Sequence, residues 1–131
     1  MYQLLIVDDE EDIRRGMARG IPWNEWGFEV VGQAENGEEA VRIIGEKHSD
    51  VVLSDIRMPK MDGIELMQYL HENNPEIKII ILSGYNDVEY LNMAIRNQVT
   101  EYLLKPTDID EFETLFHRLK EKLDEEGVRR R

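Results

Sequence analysis

A chain of 131 residues has the length of one domain on a single core, and its net charge of −12 argues against nucleic-acid or anionic-membrane partners, which need a basic footprint. The absence of cysteine excludes disulfides, thiolate metal sites and cysteine nucleophiles. The first residues, 1–7, lack the basic start and long apolar core of a signal peptide, and no apolar run approaches the roughly 20 residues of a membrane span, so a soluble, cytoplasmic domain is expected.

Leu4 to Val7 is a continuous apolar run ending in Asp8-Asp9, the pattern of a central parallel strand buried on both faces. A helix follows from about Glu10, with Ile13 and Met17 on one face, and Gly20 and Pro22 end it. Residues 21–27 make a longer connection whose Trp23 and Trp26 read as packing at the base of that helix. Phe28 to Ala34 is a second strand, more polar and so nearer an edge. Asn36, with Glu39 three positions on, is an N-cap pairing that opens a second helix, with Ala40, Val41 and Ile44 as its buried stripe.

The third strand, from Val51, lifts a single carboxylate, Asp55, to the point where the apolar run stops, and Pro59 prevents regular structure from resuming at once. Asp62 and Glu65 repeat the cap before a helix carrying Ile64, Met67 and Leu70. Ile77 to Leu82 is a fourth strand, ending in Ser83-Gly84. Asn86 and Glu89 cap a fourth helix with a narrow stripe of Val88, Leu91 and Ile95, expected to be held less firmly than its neighbours. Glu101 to Leu104 is a short fifth strand before Lys105-Pro106. Asp108 and Glu111 open the last helix, with Phe112, Leu115, Phe116, Leu119 and Leu123 on one face. The pattern is lost beyond Leu123, so a domain over 1–123 is expected, with 124–131 a tail or the start of a linker.

Five strand–helix units with right-handed crossovers predict a doubly wound α/β domain, a five-stranded parallel sheet with helices on both faces. All five carboxyl ends then reach one edge, where ligands of open α/β sheets bind. The sequence places Asp8 and Asp9, Asp55, Ser83 and Lys105 there. Crowded carboxylates repel unless a cation intervenes, and a hard divalent ion such as Mg²⁺ suits oxygen ligands. Lys105 supplies a point charge for a phosphoryl oxygen and Ser83 a hydroxyl. These are parts for phosphoryl transfer: a nucleophilic carboxylate, a metal and cationic clamps. Asp55 taken alone suits an acid that merely ends a strand, Tyr102 ordinary strand packing, and Ser83 a loop-start hydroxyl. His48, His71 and His117 fall away from the strand ends and read as surface or packing residues.

With Ile6-Val7-Asp8-Asp9-Glu10, Asp55-Ile56-Arg57-Met58-Pro59 with Asp62-Gly63, Ser83-Gly84 and Tyr102-Leu103-Leu104-Lys105-Pro106 in order, the chain resembles a receiver domain of a two-component response regulator over about residues 1–123. The resemblance implies a flavodoxin-like sheet of strand order 2-1-3-4-5. It implies that Asp55 is the phosphoacceptor, supplied by a phosphohistidine on a sensor histidine kinase. Mg²⁺ would be held by Asp9 and Asp55 directly, Asp8 through water and Arg57 by its backbone carbonyl. Lys105 would pair with the phosphoryl oxygens, Ser83 would move to hydrogen-bond them, and Tyr102 would swing inward. The bond before Pro106 would be cis. The face of the fourth helix, fifth strand and last helix would then control an output, with a homodimer through that face on phosphorylation. The 22–27 connection and Leu82-Ser83-Gly84-Tyr85 resemble regulators with an AraC-type helix-turn-helix, so a DNA-binding output outside this chain and control of transcription are expected, and no metabolic activity. Arg57 and Tyr85 stand where the family tunes phosphoryl lifetime.

Three other readings stay open. A phosphohydrolase with an aspartyl-phosphate intermediate wants a second acid two residues after the nucleophile, where Arg57 stands. A flavodoxin-like cofactor module wants a hydroxyl- or glycine-rich phosphate loop where the chain has Asp-Asp-Glu-Glu-Asp. An unphosphorylated interaction module would not need the complete acid set and Lys105.

Overall fold

The structure is a computed structural model that describes residues 1–84, 88–96, 101–104 and 108–129. Strands β1 (Tyr2–Val7), β2 (Phe28–Ala34), β3 (Val51–Asp55), β4 (Lys78–Ser83) and β5 (Glu101–Leu104) form one sheet in the order β2-β1-β3-β4-β5. Every pairing is parallel. Helices α1 (Glu11–Gly20), α2 (Gly37–Glu46), α3 (Gly63–Asn73), α4 (Val88–Arg96) and α5 (Ile109–Arg129) alternate with them. The expected doubly wound order is the one observed.

The side-chain period of two in a strand explains the two-layered core. Leu5, Val7, Val52 and Ile81 face one way, into a cluster with Leu66, Met67 and Leu70 of α3. Leu4, Ile6, Leu53 and Ile80 face the other, onto Phe112, Phe116 and Leu119 of α5. Continuous apolar runs are what a strand covered on both faces requires. β2 lies at an edge, and its register against β1 shifts between Leu4 and Leu5, which pair with Val30 and Gly32. A bulge of this kind twists a sheet edge.

The helix starts follow the sequence closely. Asn36 Oδ1 accepts from Glu39 N at 2.9 Å, and Asp108 Oδ1 accepts from Glu111 N at 2.8 Å. Asp62 and Glu65 make a full capping box before α3. Asn86 lies outside the described residues, so its expected cap does too.

Three elements differ from expectation or go beyond it. Trp23 and Trp26 sit on a 3-10 turn (Trp23–Trp26) and pack beside Met17 and Ala18 of α1 as expected, but reach further: Trp23, which donates from Nε1 to Met17 O, also packs edge-on to Phe116 of α5, with centroids 4.7 Å apart. Ile95, expected on the buried stripe of α4, is 66% exposed. Among the described side chains of α4, Met93 packs on the core; the side chains of Val88 and Leu91 lie outside the described ones. Third, α5 runs on to Arg129 although its apolar stripe ends at Leu123. Polar contacts replace apolar ones there: Asp124 Oδ1 accepts from Tyr2 Oη at 2.5 Å, and Glu126 pairs with Lys78 at 2.7 Å.

Candidate functional site at the carboxyl edge of the sheet

β1 and β3 are neighbours in register, Val7 opposite Ser54, so the residues that follow them emerge side by side. Asp8, Asp9 and Asp55 each present a carboxylate oxygen within 4.8 Å of the others. Asp8 is fully buried, Asp55 half-buried and Asp9 exposed, so the cluster opens to solvent on one side.

Local hydrogen bonds orient these acids. Glu10 N donates to Asp8 Oδ1 at 2.9 Å, and Arg14 Nη1 donates to the Asp8 carbonyl oxygen at 2.9 Å. Ile56 N donates to Asp55 Oδ1 at 2.9 Å, while Ser54 Oγ donates to the Asp55 carbonyl oxygen at 2.8 Å. The turn after Asp55 is closed by Gly63 N donating to Ile56 O at 2.7 Å. A Cβ on Gly63 would overlap the Asp55 carbonyl oxygen and come within 2.8 Å of Ile56 Cα. Only glycine lets the start of α3 approach the end of β3 so closely.

The donor set is all carboxylate oxygen, which fits a hard divalent cation and no soft one. Three negative charges packed this way favour a cation strongly, and their partial exposure leaves room for waters and a further ligand.

The other expected residues surround this cluster to different degrees. Ser83 is buried at the end of β4, one residue past the Asp55–Leu82 pairing. Tyr102 lies on β5 opposite Ile81, its ring packed on the core under α3 and its Oη buried without a hydrogen-bond partner among the described residues. Arg57 follows β3 with an exposed side chain. Lys105 and Pro106, with the expected cis bond, lie outside the described residues. Sequence reading missed Arg14, whose place six residues after Asp8 on the first helix was the available signal. It also missed Gly37 N donating to Met61 O at 2.7 Å, a non-local contact with no local signature.

A model of the response regulator receiver domain matches residues 4–117. The chain belongs to that family. It is 42% identical over 106 residues to the uncharacterized transcriptional regulatory protein YesN of Bacillus subtilis, covering 81% of this chain and 29% of that one. It is 37% identical over 119 residues to the transcriptional regulatory protein HptR of Staphylococcus aureus, covering 91% and 46%. This receiver thus spans less than half the length of those relatives. Among solved structures, the receiver domain of AraT, a response regulator from Geobacillus stearothermophilus, superposes with a TM-score of 0.88 at 44% identity, covering 96% of this chain and 98% of that one. Among the described residues of the receiver no helix is long and apolar enough to cross a membrane.

Proposed function

We propose that this receiver accepts a phosphoryl group on Asp55 from a phosphohistidine of a sensor histidine kinase and thereby switches the face formed by α4, β5 and α5. The observation that carries the proposal is the convergence of Asp8, Asp9 and Asp55 within 4.8 Å at the end of two adjacent strands. A structural role does not explain it, because like charges at that spacing oppose folding.

A carboxylate oxygen of Asp55 attacks phosphorus, the P–N bond to the imidazole breaks, and the histidine nitrogen keeps the electron pair and takes up a proton. Asp8, Asp9, Asp55 and the Arg57 carbonyl would hold Mg²⁺. When bound, that ion neutralises the acids and the charge developing on the phosphoryl oxygens. Ile56 N holds Asp55 Oδ1 and so fixes the plane of the carboxylate. Return to the resting state is attack of water on phosphorus, with the Asp55 carboxylate as leaving group and inorganic phosphate as product. Lys105 is assigned to the phosphoryl oxygens.

Ser83 sits one residue beyond the level of Asp55 on the adjacent strand, which suits a hydroxyl that moves to the new oxygens. Tyr102 suits a two-position switch, since its buried hydroxyl has no partner among the described residues to fix its place. Added charge at Asp55 would bias these two and, through them, α4 and β5. The names of the relatives, transcriptional regulatory proteins, support control of transcription; a cytoplasmic location and a DNA-binding output that follows a receiver over 1–123, with 124–131 leading to it, belong to the same reading. Dimerisation through the switched face on phosphorylation belongs to the same reading.

The test is incubation with a small-molecule phosphodonor, with and without Mg²⁺, followed by intact-mass analysis of wild type and Asp55→Asn. The expected result is a metal-dependent gain of one phosphoryl group by the wild type alone. An adduct that persists in the variant assigns the chemistry elsewhere. If the wild type gains nothing and also fails to bind beryllofluoride with Mg²⁺, the phosphoacceptor reading is overturned.

A further inference from the structure

We propose that Gly37, in the first turn of α2, is a positioning residue for the cation site. It acts by clamping the loop that follows Asp55, and with it the backbone carbonyl of Arg57. The inference rests on the reading that the three aspartates and that carbonyl hold Mg²⁺.

The loop over residues 56–62 is held at both ends by amides of glycines from helix starts. At its near end Gly63 N donates to Ile56 O, and at its far end Gly37 N donates to Met61 O, each at 2.7 Å. The first is local, while the second comes from a different strand–helix unit. A helix start carries N–H groups without partners in the helix. Asn36 Oδ1 takes the one at Glu39, and the Met61 carbonyl takes the one at Gly37.

Space, not dihedral freedom, requires glycine at position 37, since its φ is not in the left-handed region. A Cβ there would lie 2.5 Å from Met61 Cγ and 2.8 Å from both Met61 O and Met61 Sδ. The side-chain overlaps could relax, because methionine is flexible. The carbonyl overlap could not relax without moving the loop. Helix propensity favours alanine over glycine in a helix, so the close approach overrides it.

A shift at Met61 is transmitted toward Arg57 because little between them is soft. Pro59 has a fixed φ, Lys60 is already in the left-handed region at φ 64°, and Met58 is buried in the core under α3. Three residues with those constraints form a stiff link. Displacing Met61 therefore re-aims the Arg57 carbonyl that the proposed function assigns to the cation, while Asp8 and Asp9, which follow β1, stay in place. Contacts that orient metal ligands from outside the coordination sphere change metal affinity by about 10- to 100-fold when removed.

The test compares Mg²⁺ affinity by isothermal titration calorimetry, with no phosphodonor present, in wild type, Gly37→Ala, Met61→Ala and the double variant. Gly45→Ala, on the same helix with open space at its Cβ, is the control. Gly37→Ala is expected to weaken Mg²⁺ binding by about tenfold, with Gly45→Ala and Met61→Ala near wild type, since the latter keeps the carbonyl and its hydrogen bond. The double variant, relieved of the side-chain overlaps, is expected to fold and still bind Mg²⁺ more weakly than wild type. It replaces Gly37→Ala if that variant does not fold. A folded Gly37→Ala or double variant with wild-type affinity overturns the inference, whatever its unfolding midpoint. A wild-type protein that binds no Mg²⁺ overturns instead the cation reading on which it rests, and the inference with it.

Discussion

Neutralising Asp8 separates the cost of the acid cluster from its use. Asp8→Asn keeps an oxygen that accepts from Glu10 N, so the turn after β1 retains its 2.9 Å hydrogen bond. The substitution removes one of three charges whose oxygens lie within 4.8 Å of one another, from a residue with no exposed surface. At that spacing and an effective dielectric near 20, each pair repels by about 3.5 kcal/mol or more. Solvent at the exposed Asp9 and neighbouring polar groups reduce the gain to about 1–2 kcal/mol for the charge removed. In EDTA the variant is expected to unfold at higher urea than wild type by that amount. Mg²⁺ at ten times its Kd then stabilises the wild type by about 1.4 kcal/mol through linkage. A variant that binds the ion tenfold more weakly gains about 0.4 kcal/mol at the same concentration. Fluorescence of the buried Trp23 and Trp26 reports both transitions. An Asp8→Asn protein less stable than wild type in EDTA, or one whose Mg²⁺ increment is unchanged, refutes the reasoning.

Gly63→Ala forces a Cβ onto the Asp55–Ile56 backbone and opposes the 2.7 Å bond from Gly63 N to Ile56 O. A loss of about 3 kcal/mol is expected, seen as a Tm roughly 10 °C lower by calorimetry; an unchanged Tm would mean that the α3 start relaxes freely. At the opposite edge of the sheet, Lys78→Met breaks the partly buried pair with Glu126 and is expected to cost about 1 kcal/mol in urea unfolding. The same edge predicts an alkaline transition. The hydrogen bond from Tyr2 to the Asp124 carboxylate, then burial, then the negative charge of Asp124 push the Tyr2 phenol up from 10.0 to about 12. Because the folded-state value is raised, this contribution is complete below pH 10 and is lost as pH climbs toward 12. Asp124 is shifted the other way, first by Tyr2 and then by Lys120, so its contribution is lost only as pH falls through its depressed value. A difference titration of wild type against Tyr2→Phe by ultraviolet absorbance isolates the Tyr2 step. A step near 10 would remove the Tyr2–Asp124 hydrogen bond from the account.

The middle of the sheet was legible because β1, β3 and β4 are buried on both faces, and such strands read as apolar runs ended by acids or turn residues. The helix starts were legible for a different reason: caps at Asn36, Asp62 and Asp108 are local chemistry, contained within four residues of chain. The acid cluster was legible once the topology was, since a parallel sheet sends every strand's carboxyl end to one edge. What failed to show in the sequence depends on approach between distant segments. Trp23 against Phe116 and Gly37 against Met61 are contacts whose partners no periodicity connects. The course of α5 past Leu123 failed for a related reason. Its last turns are held by Tyr2 and Lys78, residues of β1 and β4, so an amphipathic stripe is not what carries them.

The two edges of the sheet are built on opposed principles, and the opposition bears on function. At the amino edge, charges are matched: Lys78 with Glu126, Lys120 with Asp124, and His48 Nε2 at 2.8 Å from Asp50, whose other oxygen accepts from Gln3 N. There α5 also lays Phe116 between Trp23 and Phe28. At the carboxyl edge, three like charges are gathered at the ends of β1 and β3, adjacent strands whose side chains are closely packed. Interiors packed this tightly respond to an added charge by switching between discrete arrangements, not by yielding gradually. An edge that gathers three carboxylates gains most from a cation and a phosphoryl group, whereas an edge of oppositely charged pairs gains little. The elements with least holding them at the charged edge are the ones expected to move. Tyr102, with its hydroxyl buried and unpartnered among the described residues, is the side chain placed to move first.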